Sequence, residues 1–117
     1  MASDPGNRLI EEVSAWEGVS TGEGRFGSTR FLVGRRELGH LHPPATLDMP
    51  LPPARKRELI GRGEAEQHRR TPPESGWVTL RLADDEATER AIELLRERYE
   101  HARALQTRRN SPGVPAP

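Results

Sequence analysis

"STRFLVGRRELGHLH", residues 28–42, is two runs of alternating apolar and polar residues joined at Gly34-Arg35. Its reading decides the fold. Alternation of this kind describes strands, and a glycine opening a two-residue connection describes a hairpin turn, because glycine enters the positive-φ region without steric cost. In that register Val33 faces Arg36, Phe31 faces Leu38 and Thr29 faces His40. Successive side chains point to opposite faces of a strand. Phe31, Val33, Leu38, His40 and His42 are therefore expected on one face, and Leu32, Glu37 and Leu41 on the other. The first set is the more apolar and is the expected core side, which places the two histidines at the end of a packed face.

On the N-terminal side, Asp4 followed by Pro5 reads as a helix cap and first turn. Leu9, Val13 and Trp16, with Ile10 beside them, form one apolar stripe that Gly18 is expected to end. "VST" at 19–21 is a candidate strand and "GEGRFG" a turn. On the C-terminal side, "TLDM" at 46–49 suits a short strand limited by Pro50, Pro52 and Pro53, and Pro53 opens a helix over "ARKRELIGRG" with Leu59 and Ile60 as its main apolar residues. "EAEQH" leads into the loop "RRTPPESG". "WVTLRL", 77–82, is the clearest strand, with Val78, Leu80 and Leu82 on one face and Trp77, Thr79 and Arg81 on the other. Asp84 or Asp85 caps a last helix whose stripe is Ile92, Leu95, Tyr99 and Ala102, widened by Ala91 and Leu94. The order α-β-β-β-α-β-α describes an α+β domain, a small antiparallel sheet packed with helices on one face. Its expected extent is 5–104, with 1–4 frayed and 105–117 a disordered tail by composition.

The chain has 117 residues, 32% hydrophobic and 31% charged, with eleven prolines and eleven glycines. Mean hydropathy is −0.82. Such a chain supports one small core and many turns. There is no cysteine, which excludes disulfides, thiolate catalysis and cysteine-ligated metal sites. No apolar run approaches the roughly 20 residues of a membrane span, and "MASDPGNRLI" shows no secretory pattern, so a cytoplasmic, non-membrane protein is expected. Eighteen basic and eighteen acidic side chains cancel, which disfavours nucleic acid as a partner. The local exception is the basic segment 55–70, carrying Arg55, Lys56, Arg57, Arg62, Arg69 and Arg70; Lys56 is the only lysine in the chain.

The residues that carry chemistry are few. His40 and His42, two apart on a strand, project to one side, a spacing that chelates zinc, iron or copper when a third ligand is near. Asp48 and His68 are the candidates for that third ligand. The ordinary alternative is a hydrogen-bonded histidine closing the packed face. Asp48, between Leu47 and Met49, must face solvent or meet a cation such as Arg69, Arg70 or His68. Ser75-Gly76 suits a tight turn whose N–H groups accept an anion, with Trp77 as a stacking wall; a loop that merely positions Trp77 is the plainer reading.

The stretches "RFGSTRFLVGRRELGHLH", "LDMPLP", "GRGEAEQHRRTPPESGWVTLRL" and "AIELLRERYEHA" together resemble the luciferase domain family over about residues 9–104. The resemblance does not imply a flavin-dependent luciferase barrel, which needs roughly 250 residues. In layout the chain is also similar to small bacterial proteins with a double-wing, frataxin-like fold that are labelled DNA-binding. The function expected first is a small ligand- or partner-binding module, its pocket lined by His40, His42, Asp48, His68, Ser75 and Trp77, for a small molecule or a peptide. The alternatives are a metal-dependent or histidine-based enzyme at the same residues, and a DNA- or protein-interaction domain using 55–70. Neither a cofactor nor an oligomeric state can be read from the sequence.

Overall fold

The structure is a computed structural model that describes residues 4–110. The expected fraying of 1–3 and the tail beyond 110 lie outside the described residues. Helix α1 (Pro5–Ser14) begins where expected, with the Asp4 carboxylate accepting from the Asn7 N–H. Strands β1 (Val19–Glu23), β2 (Thr29–Val33), β3 (Arg36–His42) and β4 (Thr46–Pro50) follow. Next come α2 (Pro53–Gly61), β5 (Glu66–Gln67), β6 (Trp77–Arg81) and α3 (Asp85–Asn110). The six strands form one antiparallel sheet in the order β1-β2-β3-β4-β6-β5. This is the α+β architecture read from the sequence, with six strands where the order α-β-β-β-α-β-α has four.

Leu9 and Val13 of α1 and Leu94, Leu95 and Tyr99 of α3 pack with Phe31, Leu47, Met49, Val78 and Leu80 of the sheet into a single core. Arg55 of α2 reaches Glu97 of α3 at 3.0 Å. The helices leave the opposite face of the sheet open.

Several boundaries differ from expectation. Helix α1 ends at Ser14, four residues before Gly18, whose φ of 85° lies in the turn leading to β1. Trp16, beyond the helix, packs on Tyr99 with ring centroids 5.1 Å apart. In α2, Leu59 is buried but Ile60 is 37% exposed. The segment "EAEQH" contains β5, a two-residue edge strand too short to show periodicity. Helix α3 runs to Asn110, past position 105.

The decisive difference lies in the hairpin. Val33 pairs with Arg36 and Leu32 with Glu37, but Phe31 then pairs with Gly39, Arg30 with His40 and Thr29 with Leu41. One extra residue, Leu38, is inserted on β3 as a β-bulge. After it the alternation is inverted relative to a plain hairpin. Leu38, Gly39 and Leu41 are buried, while Glu37, His40 and His42 turn to the open face. The expected grouping of His40 and His42 with Phe31 and Val33 is thus wrong, as is the placing of Leu41 with Glu37.

Two features hold the bulge. Arg98 of α3 donates from Nε and Nη2 to the Glu37 carbonyl at 3.1 and 2.8 Å, satisfying an acceptor at the point where the ladder is disrupted. Gly39 provides the close approach: a Cβ there would lie 2.8 Å from the Asp48 carbonyl oxygen and 3.0 Å from Met49 Cβ. Gly39→Ala is therefore expected to lower stability by about 1–2 kcal/mol, the lower part of the range for overpacking. A shift of the urea midpoint at unchanged m-value would show it.

Candidate functional site

The bulge puts a continuous polar row on the open face. Arg30 lies opposite His40, His40 opposite Asp48, Asp48 opposite Thr79, and Thr79 opposite Glu66, one residue from each of five strands. A second, shorter row runs His42, Thr46, Arg81. Directly paired cross-strand side chains sit within contact distance, so the sheet itself brings the polar groups together.

Asp48 is the centre. Its residue is only 5% exposed, and three imidazole nitrogens converge on one of its oxygens. From Asp48 Oδ2, His42 Nε2 is 3.1 Å away, His68 Nε2 3.3 Å and His40 Nε2 3.5 Å. The other oxygen, Oδ1, accepts from the Thr79 hydroxyl at 2.7 Å. Of the partners expected for Asp48 the structure supplies His68, together with His40 and His42. His40 is held from behind as well: its Nδ1 is 2.7 Å from Glu37 Oε2, and Arg30 Nε donates to Glu37 Oε1 at 2.8 Å.

His68 Nδ1 accepts the Arg70 backbone N–H at 3.2 Å, which leaves its Nε2 as the N–H that faces Asp48. Trp77 lies beside the cluster, its ring centroid 5.3 Å from that of His40 and 6.1 Å from that of His68.

These groups line a hollow of about 560 Å³ together with Arg25, Phe26, Arg69 and Arg70. Phe26 is 74% exposed and has a φ of 58°, in the left-handed region that a bulky residue rarely adopts. Arg70 sits over its ring at 5.1 Å, linking the turn before β2 to the loop after β5. A larger hollow of about 810 Å³ lies between the β2–β3 turn and the end of α3, lined by Arg35, Arg36, Leu105 and Gln106 among others, with no carboxylate or histidine in its lining among the described residues.

The structure therefore gathers His40, His42, Asp48, His68 and Trp77. It does not bring Ser75 to them. The Ser75 hydroxyl accepts the Trp77 N–H at 3.3 Å, and its carbonyl accepts the Lys56 ammonium. That turn positions Trp77, and the Ser75 and Trp77 N–H groups are donated within it, to the Pro72 carbonyl and the Ser75 hydroxyl. Glu37 and Thr79 belong to the site and were missed. The signal for Glu37 was Gly39, since a glycine inside a strand often marks a bulge.

The electrostatics follow the contacts. Burial pushes the Asp48 carboxyl up, but hydrogen bonds from His40 and Thr79 and the nearby imidazoles outweigh it and hold it below the usual carboxylate range. Glu37 is likewise lowered: burial opposes, and the bonds from His40 and Arg30 prevail. His40 is raised, first by its bond to Asp48, against burial, with Glu37 adding to the effect. Each shift is a stability term. The raised His40 stabilises the fold below the ordinary histidine value of about 6.5, and that contribution is lost as pH rises through the folded value. The lowered carboxylates stabilise above about 4.5 and lose their effect as pH falls. The protein is therefore expected to melt higher at pH 6 than at pH 8 in the presence of EDTA, and the difference should vanish in His40→Gln. Thermal unfolding at the two pH values checks this.

A model of the luciferase domain matches residues 35–98, more than half of the chain. The chain belongs to the luciferase domain family. The matched span runs from β3 into α3 and contains Glu37, His40, His42, Asp48, His68, Trp77 and Thr79, whereas Arg25, Phe26 and Arg30 precede it. No curated protein and no solved structure matches this luciferase domain. Among the described residues no helix is long and apolar enough to cross a membrane.

Proposed function

We propose that this luciferase domain binds a small anionic molecule with a planar apolar part on the open face of its sheet. The observation that carries the reading is the convergence of His40, His42, His68 and Asp48 beside Trp77 in one hollow. Charge supports the sign of the ligand. Of the five arginines lining the hollow, Arg30 is paired with Glu37 and Arg81 with Glu66. Arg25, Arg69 and Arg70 have no carboxylate partner among the described residues. Asp48 is nearly inaccessible, enclosed by three imidazoles and Thr79, so the unpaired charge at the rim is that of the arginines. Trp77 and Phe26 supply ring surface for a flat ligand. The strained, exposed Phe26 adds weight, since such outliers cluster at functional positions.

The same arrangement serves a histidine-based reaction, because His40 between two carboxylates is a proton donor held in place. The interaction-domain reading has less support. Arg55 is paired with Glu58 and Glu97, Arg62 with Glu58, and Lys56 is buried against backbone carbonyls, so half of the basic charges of 55–70 are used inside the fold.

Titration with a panel of aromatic carboxylates and sulfonates, followed by tryptophan fluorescence, tests the reading. Saturable quenching is expected, retained in Trp16→Phe, lost in Trp77→Ala and weakened in Arg70→Ala. Absence of binding across the panel, or binding indifferent to Trp77→Ala, would remove it.

A further inference from the structure

We propose that His40, His42 and Asp48 form a binding site for one divalent transition-metal ion, with the remaining coordination positions open to the hollow. The inference rests on the same pocket as the ligand reading, and it concerns what sits at the pocket's chemical centre.

The geometry is that of ligands around an ion. One donor atom from each of His40, His42 and Asp48 lies within 4.8 Å of the other two. Two ligands bound at about 2.1 Å, at angles between a right angle and the tetrahedral value, stand about 3.0–3.4 Å apart. The separations of His42 Nε2 and His40 Nε2 from Asp48 Oδ2 are 3.1 and 3.5 Å, so little movement is needed. Two imidazoles and a carboxylate are the donor set that suits Zn(II), Fe(II) or Co(II), and three protein ligands leave room for water or an anionic ligand.

The surroundings are those of a metal site too. A ligating histidine usually donates its second ring nitrogen to a carboxylate, which fixes the tautomer. His40 Nδ1 faces Glu37 Oε2 at 2.7 Å, and Arg30 holds Glu37 in turn. With Nδ1–H donated to Glu37, a neutral His40 presents the Nε2 lone pair to Asp48 Oδ2. Two lone pairs facing each other across 3.5 Å need a cation between them. A proton meets the need, and so does a metal ion. Thr79 occupies Asp48 Oδ1, which turns Oδ2 toward the histidines.

His68 has a different part. Its Nδ1 accepts the Arg70 N–H, so Nε2 carries the proton and points its N–H side to Asp48 Oδ2 at 3.3 Å. It is a positioning residue for the carboxylate and not a ligand.

The test uses the ion without any small molecule. Full-length protein is stripped with EDTA and titrated with ZnCl2 by calorimetry and with Co(II) by visible absorption. One ion per chain is expected, with d–d bands of Co(II) bound through imidazole. His42→Gln, on the more exposed of the two ligands, and Asp48→Asn should each abolish the bands while far-UV circular dichroism stays unchanged. Glu37→Gln should weaken the affinity about 10- to 100-fold, the usual effect of losing such an outer partner. His68→Gln should keep the bands. No saturable uptake by the wild-type chain, or uptake unchanged in His42→Gln, overturns the proposal. Loss in His68→Gln equal to that in His42→Gln overturns the assignment of ligands. A negative metal titration beside positive quenching by the aromatic panel would separate failure of this inference from failure of the ligand reading.

Discussion

Asp48→Asn is expected to cost the metal-free protein roughly 3–5 kcal/mol, the loss that follows when one member of a buried ion pair is removed. The carboxylate is nearly inaccessible and accepts from Thr79 while facing His40, His42 and His68. The amide keeps the shape and removes the charge. It also places an N–H₂ group where the Thr79 hydroxyl or the His68 N–H requires an acceptor. The histidines, 14–30% exposed, recover part of the loss by turning to water, which favours the low end of the range. A natural domain of this size has only about 5–15 kcal/mol in total, so the variant should lie close to its unfolding midpoint at moderate urea. Urea titration in EDTA reads the change directly. Thr79→Val, which removes one neutral donor, should cost nearer 1 kcal/mol. If Asp48→Asn and Thr79→Val prove equal, the three imidazoles contribute nothing and the cluster is a coincidence of exposed side chains.

Much of this organisation was legible in the sequence because it depends on local rules. The Asp4-Pro5 helix start, the Gly34 turn, the two faces of "WVTLRL" and the stripe Leu95-Tyr99-Ala102 each follow from periodicity or from one residue's backbone preference. What failed was register. A single bulge at Leu38 moves His40 and His42 from the face of Phe31 to the opposite one, and no count of apolar residues detects an insertion of one. Five of the six candidates still lie together, all but Ser75, because Asp48 and Trp77 follow their own alternation and the bulge brings the histidines to their face. Glu37 was lost for the same reason that the histidines were misplaced. Residue β-types could not reveal β5 either. Glu66 and Gln67 are in a strand because β6 offers an edge to pair with, a tertiary fact. The Ser75 turn follows the plainer reading, a loop that positions Trp77, but its tie to Lys56 was not legible because that partner is nineteen residues away in sequence.

Lys56→Met should be nearly as damaging as the loss of Asp48, although Lys56 lies outside the hollow. In a chain that otherwise uses arginine, its one lysine is only 7% exposed, on α2, and donates to the Pro73 carbonyl at 2.9 Å and to the Ser75 carbonyl. Two charge-assisted bonds at about 1.5–3 kcal/mol each, partly offset by water reaching the carbonyls, give an expected loss of roughly 2–4 kcal/mol. Lys56→Arg should not restore it, because a planar fork cannot fill a cage made for a compact ammonium. The functional consequence follows from what the loop carries. Residues 68–76 bring His68 to Asp48 and deliver Trp77 to the wall of the hollow, and the Leu51 N–H to Gly76 carbonyl bond of 2.8 Å is their nearest other backbone tether. Freed at Pro73 and Ser75, the loop must be ordered again whenever a ligand binds, and that ordering cost appears as lost affinity. Aromatic-anion binding should therefore weaken in Lys56→Met under conditions where the protein is still folded, with faster amide exchange confined to 74–77. Unchanged affinity and exchange would mean that the prolines of the loop hold Trp77 in place without the ammonium.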